Sequence, residues 1–183
     1  MRKLKLIIAA LFLISPFAAA DTVIVKNLVY VDSETGSSIS AYDTTTLNLR
    51  WRTDLSSYSI DGPLSIGADK DFVYVGMDTQ SGGGLAILSA TTGEIIWITD
   101  LLTPVYSAPT VTKDYLYVGT QTSVWVLDRI TGAVLWVTLV GPVDSSPAVD
   151  KDNVYISTSD SGVDTIWKLT ADTGEILFST QLN

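Results

Sequence analysis

The 183-residue sequence contains no cysteine and no histidine. The first absence excludes disulfides, thiolate chemistry and a lipid-modified cysteine. The second excludes His-ligated zinc and any triad built on an imidazole base. Positive charge is also scarce, with 11 Lys and Arg against 20 Asp and Glu. All 20 acidic residues follow position 20, whereas Arg2, Lys3 and Lys5 precede it. The rest of the chain therefore sets eight cations against 20 anions, a balance of −12. A surface of that sign repels phosphate, which argues against nucleic acid and anionic membrane as partners. Beyond position 20, no apolar run approaches the roughly 20 residues that a membrane-spanning helix needs.

What is present begins with an export signature. A basic start leads into an unbroken apolar run over residues 6–14, followed by Pro16 and the small residues Ala18, Ala19 and Ala20. This pattern predicts a secretory signal over residues 1–20, cleaved after Ala20, and a periplasmic or secreted protein. The apolar stretch is too short for a membrane anchor.

The remainder repeats itself. Pro104, Val105, Ser107, Pro109, Val111, Lys113 and Asp114 recur 38 positions later as Pro142, Val143, Ser145, Pro147, Val149, Lys151 and Asp152. A Thr-Gly pair followed four residues after the Gly by an aromatic recurs as Gly93/Trp97, Gly132/Trp136 and Gly174/Phe178, and Leu47 to Trp51 forms a degenerate first copy. Tyr30, Tyr74, Tyr117 and Tyr155 mark a third recurring position. Each unit holds four short runs rich in Val, Ile, Leu, Tyr and Trp, bounded by turn-forming residues. Four such units predict an all-β fold, a β-propeller of four four-stranded antiparallel blades over about 22–54, 62–100, 107–139 and 146–180. A lone blade would leave both sheet faces wet, so the units must bury one another. On this reading Trp51, Trp97 and Trp136 serve packing between blades, and Gly93, Gly132 and Gly174 supply positive φ in a turn.

The stretch 85–97 (LAILSATTGEIIW) resembles the PQQ-like β-propeller repeat, as do 124–136 and 166–178 with substitutions. The resemblance extends over residues 21–183. It implies a propeller used either as a non-enzymatic scaffold or as a quinoprotein dehydrogenase. Dehydrogenases of that family are expected to carry a vicinal disulfide beside the cofactor, which a Cys-free chain lacks. Family members run to seven or eight blades, so four could form a closed ring or one half of an eight-blade assembly, with a homo-oligomer as one outcome.

Within a repeat array, function falls where the copies differ. The differing segments are 32–38, 77–83, 157–163, 54–61, 100–106 and 139–144, and they predict a binding face of Asp32, Glu34, Tyr58, Asp61, Asp78, Tyr106, Asp144 and Asp160. Acid with aromatic suits a peptide, a basic protein or a cation. Asp69-Lys70-Asp71 and Asp150-Lys151-Asp152 lack the Gly and the distant Glu of an EF-hand loop. Gly82-Gly83-Gly84 lacks the Lys that completes a phosphate cradle and is expected to be a flexible hairpin loop. No catalytic constellation stands out. The expected role is an exported, non-catalytic scaffold for a protein or peptide of the envelope, without cofactor or metal; the alternative is a protein that binds PQQ or calcium, or a PQQ-dependent oxidoreductase.

Overall fold

The computed structural model describes residues 22–33, 37–62, 64–143 and 145–182. The predicted secretion signal, Glu34 and Asp144 lie outside the described residues. Among the described residues, sixteen strands form four antiparallel four-stranded sheets, each in sequential order, and no strand pairs with another sheet. The first blade comprises β1 (Thr22–Val25), β2 (Leu28–Asp32), β3 (Ser38–Asp43) and β4 (Leu49–Asp54). The second comprises β5 (Ser65–Ala68), β6 (Phe72–Thr79), β7 (Gly82–Ser89) and β8 (Ile95–Asp100). The third comprises β9 (Thr110–Val111), β10 (Tyr115–Gly119), β11 (Ser123–Asp128) and β12 (Val134–Leu139). The fourth comprises β13 (Ala148–Val149), β14 (Asn153–Asp160), β15 (Val163–Thr170) and β16 (Ile176–Gln181). Among the described residues the only helix is a single 3-10 turn, Ser56–Tyr58. None is long and apolar enough to cross a membrane.

The blades stack through their first strands, β1 against β5 and β5 against β9. Strand alternation gives each inner sheet two apolar faces. Three buried clusters follow, one per boundary. Tyr30, Ile39, Ala41 and Trp51 meet Ile66, Val73, Val75, Ala86 and Leu88. Tyr74, Leu85 and Ile87 meet Leu116, Val118 and Leu127. Tyr117, Val124 and Val126 meet Val154, Ile156 and Leu169. Each fully buried aliphatic side chain here contributes about 1.5–3 kcal/mol by leaving water, so the boundaries hold the repeats together.

The recurring aromatic makes each boundary specific. In every blade the third and fourth strands carry a register shift at the same place, between Ala41/Tyr42, Ile87/Leu88, Val126/Leu127 and Lys168/Leu169. Beyond it, Trp51, Trp97 and Trp136 lie over the next blade. Their Nε1 atoms donate to the carbonyls of Ala90, Ile130 and Ala171 at 3.0, 3.1 and 3.2 Å. Gly93, Gly132 and Gly174 have φ of 74, 72 and 70° as expected. They also serve a second purpose, because a methyl added at Gly132 would sit 2.6 Å from Trp97 Cδ2. The glycine admits the indole as well as making the turn.

Two expectations change. The segments 77–83 and 157–163 are not long loops. β6–β7 and β14–β15 continue their pairing out to two-residue tips at Gln80-Ser81 and Ser161-Gly162. Gly82, Gly83 and Gly84 are strand residues opposite Thr79, Asp78 and Met77. Gly82 and Gly83 are glycines because the 101–104 segment crosses them closely, and a Cβ on Gly83 would run into the Thr103 carbonyl.

Candidate binding surface

The extended β6–β7 hairpin organises the end of the molecule that bears the variable segments. After the 3-10 turn, Ser59 adopts φ 52° and the chain runs back along β6. Ile60 bridges Thr79, the Asp61 amide donates to the Asp78 carbonyl at 3.0 Å, and the Gln80 amide donates to the Ser59 carbonyl at 3.2 Å. The connection from blade 2 to blade 3 arrives from the other side, and the Tyr106 hydroxyl donates to Asp78 Oδ2 at 3.3 Å. Asp61, Asp78 and Tyr106 therefore form one corner, with Tyr106 48% exposed. Partial burial raises the Asp78 pKa above the usual carboxylate value; the Tyr106 hydrogen bond opposes this, and the nearby Asp61 charge adds to it. Tyr58 lines an adjacent shallow pocket of about 150 Å³ with Met77 and Thr79, well below the ~300 Å³ at which small-molecule sites begin.

The other predicted face residues are dispersed. Asp32 is only 6% exposed. Its Oδ2 accepts the Leu64 amide at 3.4 Å, so it braces the connection between blades 1 and 2. Asp160 is exposed at the tip of the β14–β15 hairpin, where its Oδ1 accepts the Ser161 hydroxyl at 3.0 Å.

The opposite end holds clefts that the variable-segment argument passed over. One of about 370 Å³ lies between blades 1 and 2, lined by Tyr30, Arg50 and Asp69 among others. One of about 700 Å³ lies between blades 3 and 4. At the intervening boundary Arg129 reaches from blade 3 to the Asp69 carboxylate and stacks over Phe72 at 5.4 Å. The signal was legible: Arg129 occupies the repeat position that Ala90 and Ala171 hold in blades 2 and 4. Burial raises the pKa of Asp69, but hydrogen bonds from the Asp71 and Phe72 amides and from Tyr74, with the Arg129 charge, outweigh it and leave a net lowering.

The larger cleft is lined by Tyr115 and Tyr117, by Lys113 and Lys151, and by Asp114, Asp150, Asp152 and Asp172. Four carboxylates against two ammonium groups do not fit a tricarboxylate quinone such as PQQ. The alternating acids of the hairpin turns are engaged in capping. Asp69 Oδ1 accepts the amides of Asp71 and Phe72, and Asp150 Oδ1 accepts those of Asp152 and Asn153, each at 2.8–2.9 Å. Their Oδ2 atoms accept Tyr74 and Tyr155 hydroxyls at 2.9 and 3.1 Å. Among the described residues, no group of three or more Asp or Glu is placed to hold a metal.

Comparison with known proteins places this architecture. The family model described as outer membrane protein assembly factor BamB matches residues 35–139 and 85–183. The chain belongs to this PQQ-like repeat family. Its fold is similar to BamB from Moraxella catarrhalis, with TM-score 0.65, 20% identity, and coverage of 87% of this chain and 50% of that one. It is also similar to quinohemoprotein alcohol dehydrogenase from Comamonas testosteroni, with TM-score 0.72, 18% identity, and coverage of 87% and 34%. The computationally designed Ika8 protein gives TM-score 0.69, 19% identity, and coverage of 87% and 48%. The chain thus spans half or less of the length of each. No curated protein sequence matches it.

Proposed function

We propose that this chain is an exported, non-catalytic propeller scaffold that binds a protein or peptide of the cell envelope. The observation that carries this reading is the Tyr106 corner: a half-exposed aromatic ring tethered to Asp78, beside Asp61, on segments that differ between blades. Such a corner offers an apolar face and negative charge together, which suits a segment bearing Lys or Arg. Membership in the family of an outer membrane assembly factor supports a scaffold role and an envelope address. The test is capture from envelope extract by the purified protein and by an Asp61→Lys/Tyr106→Ala variant. The variant should lose the specific partner; equal capture by both would refute this surface. The cofactor reading draws support from the dehydrogenase-like fold alone. PQQ with calcium should leave the melting temperature unchanged, whereas saturable stabilisation would favour that reading.

A further inference from the structure

The three internal boundaries share one lock. The fourth strand of one blade lays Trp51, Trp97 or Trp136 on Gly93, Gly132 or Gly174 of the next. Two residues on, Thr53, Thr99 or Thr138 donates from Oγ1 to the carbonyl of that same glycine. The described chain has one more half-lock at each end. On blade 4 the corresponding pair is Phe178 and Thr180, with Phe178 62% exposed. On blade 1 the receiving turn carries Leu47 in place of glycine, four residues before Trp51. Leu47 nevertheless holds the left-handed backbone, at φ 56°, and is 67% exposed. The β-carbon costs roughly 1 kcal/mol in that region, yet the turn keeps the geometry of a receiver.

The two departures from the pattern match each other. The aromatic shrinks from Trp to Phe on the last described blade, and the receiver grows from Gly to Leu on the first. A second matched change lies deeper in the faces. Lys168 pairs with Phe178 where Ala41, Ile87 and Val126 pair with the tryptophans. In the internal clusters, those three residues pack together with Leu88, Leu127 and Leu169 of the following blade. The blade 1 counterpart of these leucines is Tyr42, which brings a hydroxyl to the position facing the one that Lys168 has made polar. Ile24, on the same outer side of β1, is 66% exposed. The two end faces thus depart from the internal pattern at corresponding positions.

We propose that the outer face of blade 4 docks on the outer face of blade 1 of a second copy of this chain, Phe178 resting on the Leu47 turn and Thr180 donating to the Leu47 carbonyl. Two copies related by a two-fold axis make this contact twice and leave no blade face open.

Light scattering of the purified protein should give twice the mass of one chain. The decisive experiment exchanges the sizes. Phe178→Trp should overfill the contact and Leu47→Gly should leave it underfilled, each weakening the dimer about tenfold or more. The double variant recreates the Trp–Gly pair of the internal boundaries and should restore dimerisation. Both positions are exposed in the single chain, and glycine is the preferred residue at φ 56°, so circular dichroism should show the same fold for all variants. A particle of single-chain mass at every concentration would overturn the proposal and leave the face to another protein or to further blades. Dimerisation in which the two substitutions simply add would overturn it as well.

Discussion

Replacing Gly132 by alanine isolates the contact that binds one blade to the next. Two penalties act at this site. At φ 72° an L-residue pays about 1 kcal/mol for the left-handed conformation. The new methyl would also lie 2.6 Å from Trp97 Cδ2, so the indole must move. Moving it loses the 3.1 Å bond to the Ile130 carbonyl, worth roughly 1 kcal/mol, and strains a close-packed boundary by a further ~1–3 kcal/mol. The expected loss is about 3–5 kcal/mol, a large part of a typical 5–15 kcal/mol stability. Gly162→Ala supplies the control, since φ there is 82° and nothing lies within 4 Å of the added carbon. It should cost only the backbone component, about 1 kcal/mol. Urea unfolding followed by circular dichroism measures both. In a Trp97→Ala background the Gly132→Ala cost should fall to the level of Gly162→Ala, because the clashing ring is gone. Equal losses for Gly132→Ala and Gly162→Ala, or an undiminished cost without Trp97, would refute the lock.

Three further outcomes follow from the same contacts. Arg129→Ala should destabilise by about 1–3 kcal/mol in urea unfolding, discounted from a fully buried pair because both side chains retain some exposure, and Tyr74→Phe should cost less, since Arg129 still neutralises Asp69. The Tyr74 pKa is raised by burial and by its hydrogen bond to Asp69, and burial raises those of Tyr30 and Tyr117 too. The protonated phenols are thus favoured by the fold, so stability is fully present below about pH 10 and is lost as pH rises beyond it; a pH titration of ellipticity with phenolate absorbance checks this, and Tyr74→Phe should shift the alkaline transition upward. Asp78 has a raised pKa, so its ionisation weakens the fold as pH climbs above the ordinary carboxylate value. Asp78→Asn should therefore raise the melting temperature slightly at pH 7 and not at pH 3, and a gain of equal size at both would contradict the assignment.

Much of the fold was legible because the repeat exposes its own constraints. Four copies of an aromatic and a tyrosine, and three of a turn glycine, at matching spacings name the blade, its count and the residues that pack between blades. The candidate surface was legible only in part. Asp61, Asp78 and Tyr106 converge, but they do so through the backbone pairing of residues 59–61 with β6, which has no periodic signature. Asp32 reads as a loop acid and is instead enclosed under the Leu64 amide. The triple glycine reads as a flexible tip and is a strand crossed by another segment, because a missing Cβ looks the same in a sequence whether it provides freedom or clearance.

The amino-acid sequence by itself determined the all-β class, the four units, the absence of thiol and imidazole chemistry and the acidic character, since each of these is a property of residue type and spacing. The tertiary structure alone decided which acids meet, which boundary Arg129 closes, and that Gly93, Gly132 and Gly174 each make room for an indole from the preceding blade. Those facts depend on side chains tens of residues apart being brought within a few ångströms, and short-range pattern carries no record of that distance.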